Sequence, residues 1–297
     1  MPLFSNKVYF TRTVDKDKLV ELYNKLDKEL PGNIAIKIHS GEEGNQNFLP
    51  PTFWKPLVDK LGDRVTVVEC NTAYDGARNY TDKHMELLKK HEWSTVFPKV
   101  EILDKDGDIS LPVENGYHLE ENYIGRGLIN YDSLIVLGHF KGHPCGGFGG
   151  ALKQLSIGCA STKGKCLIHS AGEIATQDII WEHMAKQDDF LESMADAAKT
   201  VVDLFQGNAI YINVMANMSV DCDCCAEAED PCINDIGMLA SLDPVALDKA
   251  CVDLVRASDD PGKAHFLERV DSRNGEHTID ASADLGIGSK DYELIEF

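Results

Sequence analysis

The chain is expected to be an α/β protein with a mostly parallel sheet and helices on both faces. Two observations carry that expectation. Strand-like and helix-like segments alternate through the first half, the order that a parallel sheet with crossover helices requires. At 297 residues and 43% hydrophobic content, the chain can bury a sizeable core. It is read as a single α/β domain over residues 1–297, or as two lobes with no boundary legible in the sequence.

Lys7 to Arg12 reads as a strand, and Asp15 to Leu30 as a helix with Leu19, Leu22, Leu26 and Leu30 at three- and four-residue spacing. Asn33 to His39 is a strand running into Ser40–Gly44. Thr52 to Leu61 is a helix, Arg64 to Cys70 a β-branched strand, and Thr81 to His91 a further helix. From Val100 to Asn122 the pattern is irregular. Asp104-Lys105-Asp106-Gly107-Asp108 has the opening of a calcium loop, but Asn115 stands where the bidentate Glu belongs, so a hairpin turn is expected. Ser133 to Gly138 is a buried strand, and Gly149 or Gly150 opens a helix through Ile157. Asp188 to Phe205 is a long amphipathic helix, and Ala209 to Val214 a strand leading into a cysteine cluster. Asp243-Pro244 starts a helix that Asp caps, with Cys251 on its packing face.

The formal charge is −20, yet no Asp or Glu occurs from Ser133 to Gly172. An even spread would place about six or seven there. The same stretch holds Lys141, Lys153, Lys163, Lys165, His139, His143 and His169 around Gly146-Gly147-Phe148-Gly149-Gly150. Cleared of acids and open at the backbone, it is expected to bind a small anion on Gly146, Gly147, Gly149, Gly150 and Lys153 at a helix N-terminus. Neither the Walker ending nor the dinucleotide spacing is present. Lys153, placed against the helix dipole, is the candidate catalytic lysine, with His139 and His143 as proton-transfer groups or metal ligands. The acidic balance, pI about 4.8, excludes nucleic acid as a partner. No membrane association is expected, because no apolar run approaches the ~18 residues of a span. The N-terminus carries no signal pattern, and the protein is read as cytoplasmic.

Cys222, Cys224, Cys225 and Cys232 fall within one short segment, Asp221 to Cys232, and point to a soft metal, either zinc or an iron–sulfur cluster. The surrounding Asp221, Asp223, Glu227, Glu229 and Asp230 oppose thiolate formation.

His139–Ala160, Leu167–Gly172, Ile212–Cys224, Asp235–Val255 and the tail Gly275–Leu294 together resemble the family described as domain of unknown function 362, whose members are often labelled iron–sulfur centre proteins. Gln154 stands where that pattern usually has Asn, and Cys225 and Cys232 look like additions of this branch. The inserted ferredoxin module of many relatives is missing. The loop ending in Ala151-Leu152-Lys153 is also similar to that of nickel-pincer lactate racemases, a likeness that implies Lys153 as the anchor of an organic cofactor with His139 or His143 assisting. The expected function is redox or metal-dependent chemistry on a small carboxylate or phosphate. The alternatives are a racemase- or epimerase-like enzyme with a Lys153-linked cofactor, and a noncatalytic metal-handling or electron-transfer protein, for which a redox partner protein would be expected. As an enzyme, it would be an oxidoreductase or racemase-like.

Overall fold

The computed structural model describes residues 5–297. Strand β1 (Lys7–Thr11) turns into helix α1 (Lys16–Lys25), where the Asp15 carboxylate accepts from the amides of Asp17 and Lys18 at 2.7 and 3.2 Å. The helix ends short of Leu30 because Asp27 takes a left-handed backbone (φ 45°), although Leu26 and Leu30 still fill the core. Strand β2 (Ile34–Lys37), helix α2 (Pro51–Leu61), strand β3 (Val65–Glu69), helices α3 (Thr81–Lys90) and α4 (Trp93–Val96) and strand β4 (Val100–Ile102) continue the alternation. The turn at Asp104–Asp108 then leads into β5 (Asp108–Pro112), which pairs with β6 (Glu121–Gly125). That turn joins the main sheet to a separate hairpin; it is not itself a hairpin turn, since β4 pairs with β3.

Strand β7 (Ser133–His139) returns to the main sheet, and β8 (Lys141–His143) and β9 (Gly147–Gly149) form a second small hairpin. Helix α5 (Ala151–Lys153) runs into a π-helical stretch, Gln154–Gly158. Then come α6 (Thr162–His169), α7 (Gln187–Phe205), β10 (Ala209–Met215), β11 (Gly237–Ser241), α8 (Pro244–Ala257), α9 (Lys263–Ser272), α10 (His277–Asp284) and β12 (Glu293–Glu296).

The main sheet has eight strands in the order β12-β1-β11-β10-β7-β2-β3-β4. Pairing is parallel from β10 through β4 and between β12 and β1, whereas β11 runs against both its neighbours. Side chains alternate between two cores, as the two-residue period of a strand demands. Ile34, Ile36, Ile135, Leu137, Ile210 and Ile212 face a core closed by Leu19, Leu22, Trp54, Leu57 and Trp93 of α1, α2 and α4. Ala35, Leu134, Val136 and Tyr211 face the other, closed by Ala198, Val201, Leu247, Ala250 and Phe266 of α7, α8 and α9. Helices therefore cover both faces, and the sheet is mostly parallel. No helix among the described residues is long and apolar enough to cross a membrane.

Candidate functional site

Four neighbouring strands of the parallel region end on one edge of the sheet, where α/β proteins place their ligand crevices. β2 ends at Lys37 and runs on to His39, β3 ends at Glu69 before Cys70, β7 ends at His139, and β10 leads into the cysteine loop. These ends and the segment from His143 to His169 enclose a cavity of about 300 Å³ lined by Lys37, His39, His143, Lys153, Lys165, His169, Arg78, Glu69 and Cys224.

Three lysines on this wall have no carboxylate within 4.0 Å among the described residues. Lys37 Nζ donates to the Ile38 carbonyl (2.5 Å) and the Gln154 amide oxygen (3.0 Å). Lys165 Nζ donates to the Ala160 carbonyl at 2.5 Å, and Lys153 Nζ lies 3.4 Å from Cys222 Sγ. Lys37 and Lys165 are buried, at 2% and 6% exposure. An ammonium taken out of water without a counter-charge is costly, and burial accordingly pushes the Lys37 pKa down. Burial acts on Lys153 in the same sense, but the Cys222 and Cys224 sulfurs outweigh it and raise its pKa. Arg78, by contrast, is matched: it bridges Glu42 (3.2 Å) and Glu69 (3.3 Å), and His84 holds the second Glu69 oxygen at 2.9 Å.

The histidine partners define which nitrogen is free. His143 Nδ1 accepts from the amides of Gly146 (2.9 Å) and Cys145 (3.2 Å), so the ring hydrogen sits on Nε2, 4.0 Å from Cys224 Sγ. His169 Nδ1 donates to the Lys165 carbonyl at 2.7 Å, which leaves Nε2 with a lone pair. Burial, with Lys153 adding to it, pushes His143 well below its usual value; burial brings His169 down to about 4. The cavity wall thus presents one imidazole as an N–H donor and the other as an acceptor. His169 stacks on Phe190 and meets Trp181 edge-on, which fixes its ring plane.

His139 lies elsewhere. Its Nδ1 donates to the Asp223 carboxylate at 2.9 Å and its Nε2 to the Ala216 carbonyl at 2.6 Å, so neither nitrogen is free to move a proton in the cavity. Lys141 joins the same carboxylate at 2.8 Å. Burial alone would raise the Asp223 carboxyl, but His139 and Lys141 outweigh it and hold it well below the usual range. Asp223 therefore clamps the cysteine loop to the end of β7, and His139, expected as a catalytic group, is held in that clamp and is not part of the cavity lining. The β2 loop holds the other side: the Glu42 amide donates to the Asp223 carbonyl (2.7 Å), and the Asn45 side chain to the Cys225 carbonyl (2.8 Å).

The glycines do a different job from the one expected of them. The first amides of α5, Ala151 and Leu152, donate to the two oxygens of buried Asp248 at 2.8 and 2.9 Å. The helix N-terminus is capped from within the chain, which removes it as a seat for a guest anion. A Cβ at Gly150 would lie 2.4 Å from Asp248 Oδ1, and one at Gly147 (φ +78°) would lie 2.9 Å from Gly275 Cα. Gly146 contributes its amide to His143, and Gly149 pairs with Lys141 in the small hairpin. Of the residues named for anion binding, only Lys153 lines the cavity.

Cys222 Sγ, Cys224 Sγ and a His143 nitrogen all lie within 4.8 Å of one another. Cys225 and Cys232 are not in that group. Cys232 lies in a separate surface depression with Asn234 and Asp260, its Sγ 3.6 Å from the Met218 carbonyl. A four-iron cluster asks for four thiolates, and this donor set does not fit one. Burial pushes the Cys222 thiol up. Contact with Cys222 lowers Cys224, but Cys225 and burial outweigh it and push that thiol up to about 11. Of the neighbouring acids, Asp221 is matched by Arg269 (3.1 Å) and Glu229 by His265 (2.9 Å).

Sequence reasoning overlooked Lys37, His39, Glu69 and Arg78. The available signal was a lysine inside the apolar strand Ile34-Ala35-Ile36-Lys37-Ile38, where an unpaired charge has no structural reason to be.

A search of curated proteins finds no match. Among solved structures, the chain is similar to a Thermotoga maritima structural-genomics protein, with 13% identity and a TM-score of 0.46 over 91% of this chain and 58% of that one. It is similar also to the lactate racemase apoprotein from Thermoanaerobacterium thermosaccharolyticum, with 14% identity and a TM-score of 0.42 over 72% of this chain and 52% of that one. The chain thus spans little more than half the length of either structure. A family model matches residues 34–253, the stretch that holds the cavity, its lysines and the cysteine loop, and on that match the chain belongs to the family described as domain of unknown function (DUF362).

Proposed function

We propose that the protein is an enzyme acting on a small carboxylate or phosphate held in the cavity by Lys37, Lys153 and Lys165. The observation that carries this reading is the convergence of three lysines, none with a carboxylate partner among the described residues, on one enclosed space in a chain of charge −20. A bound anion would supply the missing counter-charge. His169 Nε2, with its lone pair, serves as proton acceptor, and His143 Nε2–H as donor. Cys222 and Cys224 form the soft side of the site, where a single thiophilic ion or a redox step would be accommodated.

The test is ligand-linked stability with inorganic phosphate and with lactate as the carboxylate. A ligand at about 100 times its Kd is expected to stabilise the wild-type protein by about 2.7 kcal/mol. Lys37→Met is expected to raise the stability of the unliganded protein, because a buried unmatched ammonium is gone, and to abolish the ligand effect. Lys153→Ala is expected to abolish the effect as well. Stabilisation that survives both substitutions overturns the reading.

A racemase-like variant of this reading, with an organic cofactor on Lys153, is favoured by one observation: Lys153 enters the cavity that His143 and His169 also line. A cavity of about 300 Å³ is at the small end for such a group. The cofactor would supply the hydride or electron chemistry, and the chain would supply the anchor and the two imidazoles. Mass spectrometry of natively purified protein, intact and after proteolytic digestion, decides between the two, since only this variant places added mass on a peptide containing Lys153.

A further inference from the structure

On the outer side of α7, remote in sequence from the cysteine loop, a second group of potential ligands converges. Asp189, Glu192 and Asp196 recur at three- and four-residue spacing and so share a face of the helix. Asp196 is fully buried, and its carboxylate accepts from the amides of Tyr117 (2.8 Å), His118 (2.8 Å) and Leu119 (2.9 Å). It pins the β5–β6 loop to α7 and so fixes the backbone of His118. From there His118 Nε2 reaches Glu192 Oε2 at 2.6 Å and Asp189 Oδ1 at 4.0 Å. The other Glu192 oxygen is held by His277 Nε2 of α10 at 2.9 Å. The ligand atoms of His118, Asp189 and Glu192 all lie within 4.8 Å of one another, and all three side chains are partly exposed.

We propose that His118, Asp189 and Glu192 bind a divalent transition-metal ion of the zinc class, with His277 orienting Glu192 from behind. Zinc bonds of ~2.0–2.2 Å at a tetrahedral angle place ligand atoms ~3.4 Å apart. The His118 distances of 2.6 and 4.0 Å bracket that spacing, so sub-ångström side-chain movement would admit the ion. Two carboxylates and a neutral imidazole balance its charge, and the partial exposure leaves a position for water. The two histidines on one carboxylate resemble a ligand with its outer-shell partner, the arrangement that orients metal ligands generally. The ion would tie the β5–β6 loop, α7 and α10 together. This site shares no residue with the cavity, so its failure would leave the anion-binding reading untouched.

The test is Zn²⁺ titration calorimetry on the full chain carrying Cys145→Ser, Cys222→Ser, Cys224→Ser, Cys225→Ser and Cys232→Ser, which removes the partly exposed thiols and Cys222 as competing ligands. One equivalent is expected to bind, and His118→Ala or Asp189→Asn is expected to abolish it. His277→Ala is expected to weaken it about 10-fold, the low end for a lost outer-shell partner. Co²⁺ bound in place of zinc is expected to show d–d bands without a thiolate charge-transfer band. Asp189 is partly exposed, so Asp189→Asn is expected to keep the parent's circular dichroism and melting temperature and guards against misreading a folding defect. Unchanged Zn²⁺ affinity in His118→Ala and Asp189→Asn overturns the proposal, as does a thiolate band from the bound cobalt.

Discussion

Asp248 is fully buried, and its carboxylate accepts from Ala151, Leu152 and the Asn213 side chain, the last at 2.7 Å. Burial raises its pKa to about 6 even against those donors. Deleting the side chain strands two backbone amides and one carboxamide where water does not replace the partner. At ~1–3 kcal/mol per unsatisfied group, partly relieved by relaxation, Asp248→Ala is expected to cost about 3–5 kcal/mol, measured by urea unfolding. A loss below ~1 kcal/mol would mean that the loop has rearranged and that the cap does not hold it. The same carboxylate accounts for Lys153. A lysine in the first turn of a helix opposes the dipole, but here the Asp248 carboxylate already sits at the helix start. The oddity that singled out Lys153 in the sequence therefore has a local electrostatic answer. Its functional interest rests instead on where its ammonium points.

At the level of elements, α7 organises the half of the molecule that follows the glycine loop. One face packs Phe190, Met194, Ala197, Ala198 and Val201 into the interior, and another presents Asp189, Glu192 and Asp196 to the β5–β6 loop and α10. The helix ends at Gln206, which takes a left-handed conformation (φ 47°) that glycine adopts without strain. Gln206→Gly is expected to raise stability by about 0.5–1 kcal/mol, seen as a higher melting temperature with unchanged ligand response. Most elements were legible in order because hydrophobic period is a local property: α2, β3, α3, β7, α7, β10 and α8 lie within about a residue or two of where spacing and capping put them. The exceptions have local causes. The left-handed Asp27 cut α1 short, and α5 passed into a π-helical stretch that no hydrophobic period announces.

Over the whole molecule, buried titratable groups set the pH response. His39, His84, His143 and His169 are all pushed down chiefly by burial, His169 to about 4. In the unfolded chain they take up protons below about pH 6.5, while in the folded protein they do not, so stability falls as pH drops from about 6.5 toward 4. Asp243 and Asp248, raised to about 6 by burial, act the other way, because between about 4 and 6 the folded state holds their protons. Four groups oppose two, and the protein is expected to be less stable at pH 5 than at pH 7. His169→Gln is expected to reduce the slope by about one proton, or ~1.4 kcal/mol per pH unit, in urea unfolding across that range. A stability that rises on acidification to pH 5 would show that the two aspartates dominate.

The acid-free stretch illustrates how far sequence reaches at this scale. Its four lysines and three histidines stood out by composition, yet they divide three ways in space. Lys153, Lys165, His143 and His169 line the cavity; Lys141 and His139 neutralise Asp223; and Lys163 lies over the Tyr123 ring, 3.4 Å from its centroid. Nothing in their spacing separates these destinies, because each partner comes from another part of the chain.

From the sequence alone came the α/β class, the order of most elements, the family and the stretch where negative charge is excluded. Those properties are written in near-neighbour periodicity, capping and composition. Tertiary structure decided that Lys37 of β2 lines one cavity with Lys153 and Lys165, that Asp248 takes the helix N-terminus, that Cys232 stays apart from Cys222 and Cys224, and that His118 faces Glu192. The reason is that parallel strands are joined by crossovers. Residues gathered at one edge of such a sheet come from segments far apart in the chain, and only the register of the sheet brings them together.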